Sequence, residues 1–222
     1  MTKQGNFYTL GSGWLSALGY GTFGSQPLFS NEGLDFKYPD LEEYIHDLPA
    51  RFGRFDAYTK VSFAAAVLAL QDAGLLQREG KKNTGIIVGS SYGVYDNDMA
   101  YFESTREAQG EFTSPNLFSY TLPNVALGEI AVFFKFIGPT FCVGNDPDNP
   151  GLDVMPAALS LLESRQCDNI LAGWVEVARN IQGNKEFLKG AMFAVLTLDK
   201  TAETKAGFSF DQSFRFSELV EG

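Results

Sequence analysis

Histidine and cysteine are nearly missing from the sequence, with one His and two Cys in 222 residues, and each shortage removes a class of function. Two thiols, Cys142 and Cys167, cannot make a disulfide framework or a four-ligand zinc site, and both read as small core residues. The one histidine, His46, lies in an acidic irregular stretch and reads as a surface residue. Positive charge is also scarce: 17 Lys and Arg stand against 27 Asp and Glu, a net charge of −10. Such a surface repels phosphate backbones, which argues against nucleic acid as a partner. No apolar run reaches membrane-spanning length, and the one around Ala131 to Phe134 is cut by Lys135. The opening Met1-Thr-Lys-Gln-Gly-Asn6 lacks the apolar core of a secretion signal, so the cytoplasm is the expected compartment, with no membrane partner. No cofactor is expected.

Apolar side chains are what the sequence has in quantity. They make up 45% of it, with 20 Phe, enough to build a packed globule. No repeat or low-complexity linker divides the chain, so residues 1–222 read as a single domain. Phe7 to Gly11 predicts a strand running into a Gly-rich turn that extends to Gly24, and a short acidic helix is expected near Leu41 to Leu48. Asp56 is an N-cap for a helix from Ala57 to Ala73, closed by Gly74. Further helices are expected near 96–109, 123–136 and 152–165, with Ser114-Pro115 opening a loop. Apolar runs at Thr84–Gly89, Thr140–Val143, Asn169–Gly173 and Ala191–Leu198 read as strands. Strands alternating with helices indicate an α/β layer structure with a largely parallel sheet.

Four motifs invite chemical readings, and each falls short. Gly11-Ser-Gly13 begins like a dinucleotide fingerprint, but Ser16 stands where the third Gly belongs. Gly89-Ser-Ser91-Tyr-Gly93 has the spacing of a nucleophile elbow, but no histidine follows it to take the serine proton. Asp146-Pro-Asp148-Asn-Pro-Gly151 opens like a calcium loop, yet Pro150 and Ala157 occupy ligand positions. Cys142 lies within a strand with nothing basic near it in sequence.

One order of segments accounts for most of the chain. Arg54-Phe-Asp-Ala-Tyr58, Ala64-Ala-Ala66, Gln71-Asp-Ala-Gly74, Thr84-Gly-Ile-Ile-Val-Gly89, Leu122-Pro-Asn-Val-Ala-Leu-Gly128, Phe136-Ile-Gly-Pro-Thr140 and Asp168-Asn-Ile-Leu-Ala-Gly173 follow one another. Together they resemble the N-terminal half of β-ketoacyl synthases, over about residues 7 to 200. The resemblance implies a thiolase-like half-fold: one mixed, mostly parallel five-stranded sheet with helices on both faces. It also implies a nucleophilic cysteine at the tip of a buried helix, where the helix dipole favours thiolate. Counting back from Gly173 puts that position at Asp148, with Asp146 beside it, and no cysteine occurs between Cys142 and Cys167. The family's two histidines belong to a C-terminal half with no counterpart in this sequence. The resemblance therefore implies a non-catalytic ketosynthase-like subunit in fatty-acid or polyketide-type chain assembly, comparable to chain-length-factor partners. Such a subunit would form a homodimer, or a heterodimer with a full-length ketosynthase. Thr140, Phe141, Cys142 and Val143 would supply a pairing strand, and Phe133 and Phe134 the helix before it. Arg51, Arg54 and Lys60 would make a basic patch for an acyl carrier protein. Two alternatives stay open: an enzyme using Asp146 and Asp148 as acid and base, and a standalone acyl-binding module.

Overall fold

A computed structural model describes residues 5–30, 35–106, 111, 113–146, 148–179, 181 and 187–210. Its strands are β1 (Gly5–Leu15), β2 (Tyr20–Thr22), β3 (Thr84–Ser90), β4 (Thr140–Gly144), β5 (Asn169–Glu176), β6 (Gly190–Thr197) and β7 (Ala206–Phe210). Its helices are α1 (Ala57–Asp72), α2 (Tyr95–Arg106), α3 (Pro115–Ser119), α4 (Asn124–Phe134) and α5 (Val154–Glu163). All seven strands join one sheet in the order β2-β1-β6-β5-β3-β4, with β7 also on β1. Strands β1, β5, β3 and β4 run in one direction and β6 runs against them. That five-stranded body is the expected mixed, mostly parallel sheet, and the short β2 and β7 extend it along β1.

The period-2 alternation of the central strands sorts the core into two layers. Ile86, Val88, Leu171, Val175, Phe193 and Val195 face α1 and α4, while Ile87, Ile170, Ala172, Met192 and Ala194 face α5. Helices thus cover both faces of an α/β sheet. Helix α1 is apolar all round, as suits a helix buried between a sheet and a neighbouring helix, and every residue from Val61 to Leu70 is buried. It starts where the sequence predicts, with the Asp56 side chain accepting from Thr59 N–H at 2.9 Å.

Several expectations change. The Gly-rich stretch after Phe7 is not a turn but the middle of β1, with a bulge between Thr9 and Gly11. Glycine serves there because α1 lies directly on the strand: a Cβ at Gly11 would come within 2.3 Å of the Ala73 backbone nitrogen, and one at Gly13 within 2.4 Å of that of Ala69. The acidic helix is a single 3₁₀ turn, Leu41–Glu43. The loop opened by Ser114 holds α3, with Ser114 as N-cap and Pro115 in its first turn. Helix α5 begins at Val154 with Asp153 at its N-cap, so the turn before it is longer than expected. Phe133 and Phe134 belong to the core around Phe63, at ring-centroid distances of 5.3 and 6.1 Å, and offer no surface to a partner. The sequence expectation is corrected there: the α4 face that stays exposed is that of Val132.

Candidate functional site

The C-terminal ends of β3, β4 and β5 lie side by side, and the first turn of α1 closes over them. In open α/β sheets this is the edge where functional groups collect. Strand β3 ends in Ser90, and the turn Ser90–Gly93 carries the chain into α2, with Gly93 at φ +54°. Strand β5 ends in Glu176, which is 2% exposed. One carboxylate oxygen of Glu176 accepts from Ser91 N–H at 2.8 Å and Tyr92 N–H at 3.1 Å, with the Ser90 hydroxyl at 3.4 Å. The other oxygen has no partner among the described residues, nor has the buried Tyr58 hydroxyl from α1. Burial outweighs the hydrogen bonds and pushes the Glu176 carboxyl up to about 7. Burial likewise pushes the Cys142 thiol up to about 11, with a smaller opposing pull from Tyr58. Tyr58 is raised as well, by burial first and then by the charges of Cys142 and Glu176. The three groups form one half-dry polar cluster.

The cluster disposes of the elbow motif. Ser91 Oγ donates to the Asn145 carbonyl at 2.8 Å, and Ser90 Oγ accepts from Gly93 N–H at 2.8 Å, so both hydroxyls are engaged in holding the turn. His46 is 96% exposed beside Asp47. Sequence reasoning missed Glu176, Ser90 and Tyr58. The available signal was an acidic residue closing the apolar run Ile170–Val175, since a carboxylate that follows a buried strand is normally paired.

The residues singled out from sequence fall into three places. Thr140, Phe141, Cys142 and Val143 form β4, half-buried at the edge of the sheet. Asp146 and Asp148 lie in the exposed turn between β4 and α5, where Asp146 accepts from Asp148 N–H at 3.0 Å and from the Asn149 side chain at 3.0 Å. Asp153, not Asp148, stands at the start of α5, and its carboxylate accepts from Asp146 N–H at 3.2 Å. Arg51 and Arg54 are exposed on the 3₁₀ turn ahead of α1, with Lys60 half-buried in its first turns. Arg51 reaches Glu129 of α4 at 4.0 Å, while the charge of Lys60 acts on Asp56. A cavity of about 600 Å³ lies between the starts of α1 and α2, lined by Asp56, Tyr58, Tyr95, Asp96, Glu103 and Arg179. Its acidic lining, with Arg179 already tied to Asp96 through its N–H at 2.9 Å, is unsuited to an anionic group. Among the described residues no cluster of three or more His, Cys, Asp or Glu could hold a metal, and no helix is long and apolar enough to cross a membrane.

A sheet of this order, with α1 and α4 on one face and α5 on the other, is a thiolase-like half-fold. The family model of the β-ketoacyl synthase N-terminal domain matches residues 37–214, and the chain belongs to that family. Among characterised proteins it is 25% identical over 138 residues to the bikaverin polyketide synthase of Gibberella fujikuroi, covering 62% of this chain and 6% of that one. Among solved structures it superposes on the ishigamide ketosynthase/chain length factor with a TM-score of 0.59 and 18% identity, covering 74% of this chain and 49% of that one. It also superposes on a type II polyketide synthase acyl carrier protein complex with its ketosynthase, at TM-score 0.60 and 17% identity, covering 88% of this chain and 64% of that one. The chain spans less than two thirds of each of these relatives.

Proposed function

We propose that the chain is a non-catalytic ketosynthase-like subunit, a single domain that pairs through β4 with a second copy or with an active ketosynthase in polyketide- or fatty-acid-type chain assembly. The observation that carries the reading is the turn after β4. The family's nucleophile position, counted along the sequence, falls on the exposed carboxylate of Asp148 ahead of α5, the tip of α5 itself carries Asp153, and no thiol occurs from Val143 to Gln166. A carboxylate is a poor acyl acceptor compared with a thiolate. The nearest sulfur, Cys142, is held as a thiol by burial. The carboxylates of the turn favour no acid–base pair either, since those of Asp146 and Asp153 accept from its N–H groups. What remains is the open edge of β4, five residues without a charged side chain on a body of net charge −10. A solved relative named for a ketosynthase and its chain length factor supports that kind of pairing. Arg51 and Arg54 supply a local basic patch for an acidic acyl carrier protein.

Two measurements test this. The chain is expected to co-purify with a ketosynthase on co-expression, or to sediment as a dimer on its own. It is expected to leave acyl-carrier thioesters untouched. Acyl transfer that disappears in Asp148→Ala would establish an enzyme instead, and a fatty acid retained in native mass spectrometry would point to an acyl-binding module.

A further inference from the structure

The open edge of β4 is not bare. In the parallel ladder with β3, Ile86 N–H donates to the Pro139 carbonyl, and Ile86 lies opposite Thr140. Continuing that alternation, Phe141 and Val143 carry the bonds to β3, while Thr140, Cys142 and Gly144 turn their backbone groups outward. The middle one of these three is already engaged: Cys142 N–H donates to the side-chain oxygen of Asn124 at 3.0 Å. Asn124 is the first residue of α4 and is exposed, so its amide reaches across from a different element to cover the strand edge.

We propose that Asn124 is a gatekeeper of strand pairing, occupying the central donor of β4 in the free chain and yielding it to a second copy of this chain. The inference rests on the pairing reading above. Unpaired edges template unwanted association, and proteins blunt them with side chains placed for the purpose. In an antiparallel twofold pairing about Cys142, the twin's Cys142 carbonyl takes the same N–H that Asn124 holds, so the two acceptors compete. Any register that uses the centre of β4 meets the same competition, because Cys142 faces outward in all of them. A second copy is the occupant that the composition of the strand favours, because Thr140–Gly144 paired with itself is apolar and uncharged on both sides. The strand itself brings no like charges together. Continuing the register about Cys142 carries Asp146 and Asp148 of one copy toward Gly138 and Phe136 of the other, next to the exposed Lys135.

Sedimentation equilibrium of four forms tests the proposal, with circular dichroism to confirm that each is folded. Asn124→Ala removes the competing acceptor from both copies and is expected to dimerise roughly thirtyfold more tightly than wild type, the net worth of about two hydrogen bonds, one per copy. Asn124→Asp keeps an acceptor, now charged, and is expected to dimerise more weakly than wild type. Cys142→Pro deletes the outward N–H without touching the bonds to β3, as edge strands tolerate, and is expected to be monomeric. Dimers that vanish in Cys142→Pro but are equally tight or weaker in Asn124→Ala would overturn the gatekeeper and leave the pairing intact. Wild type and Asn124→Ala that both stay monomeric, or Cys142→Pro that still dimerises, would overturn the β4 pairing itself and the gatekeeper with it.

Discussion

Glu176 is the residue where solvation and hydrogen bonding pull hardest against each other. Two backbone N–H groups favour its carboxylate, yet burial wins and lifts the carboxyl from 4.5 to about 7. Below the unfolded value both states hold the proton, and the group is neutral to folding. As pH rises from about 4.5 to about 7, the unfolded chain loses that proton freely and the folded one does not, so stability falls across that window. Such a shift corresponds to roughly 3 kcal/mol. Glu176→Gln keeps an oxygen for Ser91 and Tyr92 and removes the ionisation. The stability of this variant relative to wild type, from urea midpoints, is expected to climb by that amount between pH 4.5 and 7.5, and a flat difference would refute the assignment. Cys142 gives a second residue-scale test. With its thiol pushed up to about 11, its reaction with a disulfide reagent at pH 8 is expected to be on the order of a hundredfold slower in the native chain than after unfolding. Little of this was legible in sequence. Asp56 as N-cap follows from local rules, whereas the Glu176 cluster joins residues from α1, β3, β4 and β5, and no spacing encodes such a meeting.

At the scale of elements, glycine shows where local reading stops. Gly13 and Gly128 look alike in sequence, one in a Gly-rich stretch and one inside a predicted helix. A Cβ at Gly13 would lie 2.4 Å from the Ala69 backbone nitrogen, on a helix that cannot move away without unseating the core. A Cβ at Gly128 would meet nothing within 4 Å. Alanine is therefore expected to have opposite effects. Gly13→Ala should cost about 1–3 kcal/mol or more through overpacking, while Gly128→Ala should add up to about 1 kcal/mol through helix propensity. Thermal melts of the two variants check both signs, and a stabilised Gly13→Ala would show that α1 does not seat on β1 as described. The same pair explains the misplaced turn. Glycine suggests a turn when only its neighbours are considered, but here its reason is a helix some sixty positions later in the chain. Strand periodicity fared better, since β3, β5 and β6 are buried on both faces and read directly as apolar runs. The short α3 had a readable signal in Ser114-Pro115, an N-cap followed by proline at the first helical position.

For the whole molecule the governing quantity is charge. Each copy carries −10, so two copies repel at long range even though β4 itself is neutral. Salt screens that repulsion over a Debye length of about 8–10 Å near physiological strength. An acidic carrier protein meeting Arg51 and Arg54 experiences the opposite sign locally, and salt screens an attraction there. The two associations should thus respond oppositely to ionic strength. Self-association measured by sedimentation is expected to tighten between 50 and 500 mM NaCl (chosen to span about a threefold change in screening length), while binding of an acidic carrier protein, followed by fluorescence anisotropy, weakens. Arg51→Glu together with Arg54→Glu should abolish the second response and leave the first in place. Carrier binding that strengthens with salt would mean that the apolar or acidic parts of the surface make the contact. The family resemblance, legible in the order of segments, points to the pairing strand and to the arginines, whereas the opposite salt responses follow from the net charge of −10 and the uncharged edge read from this sequence.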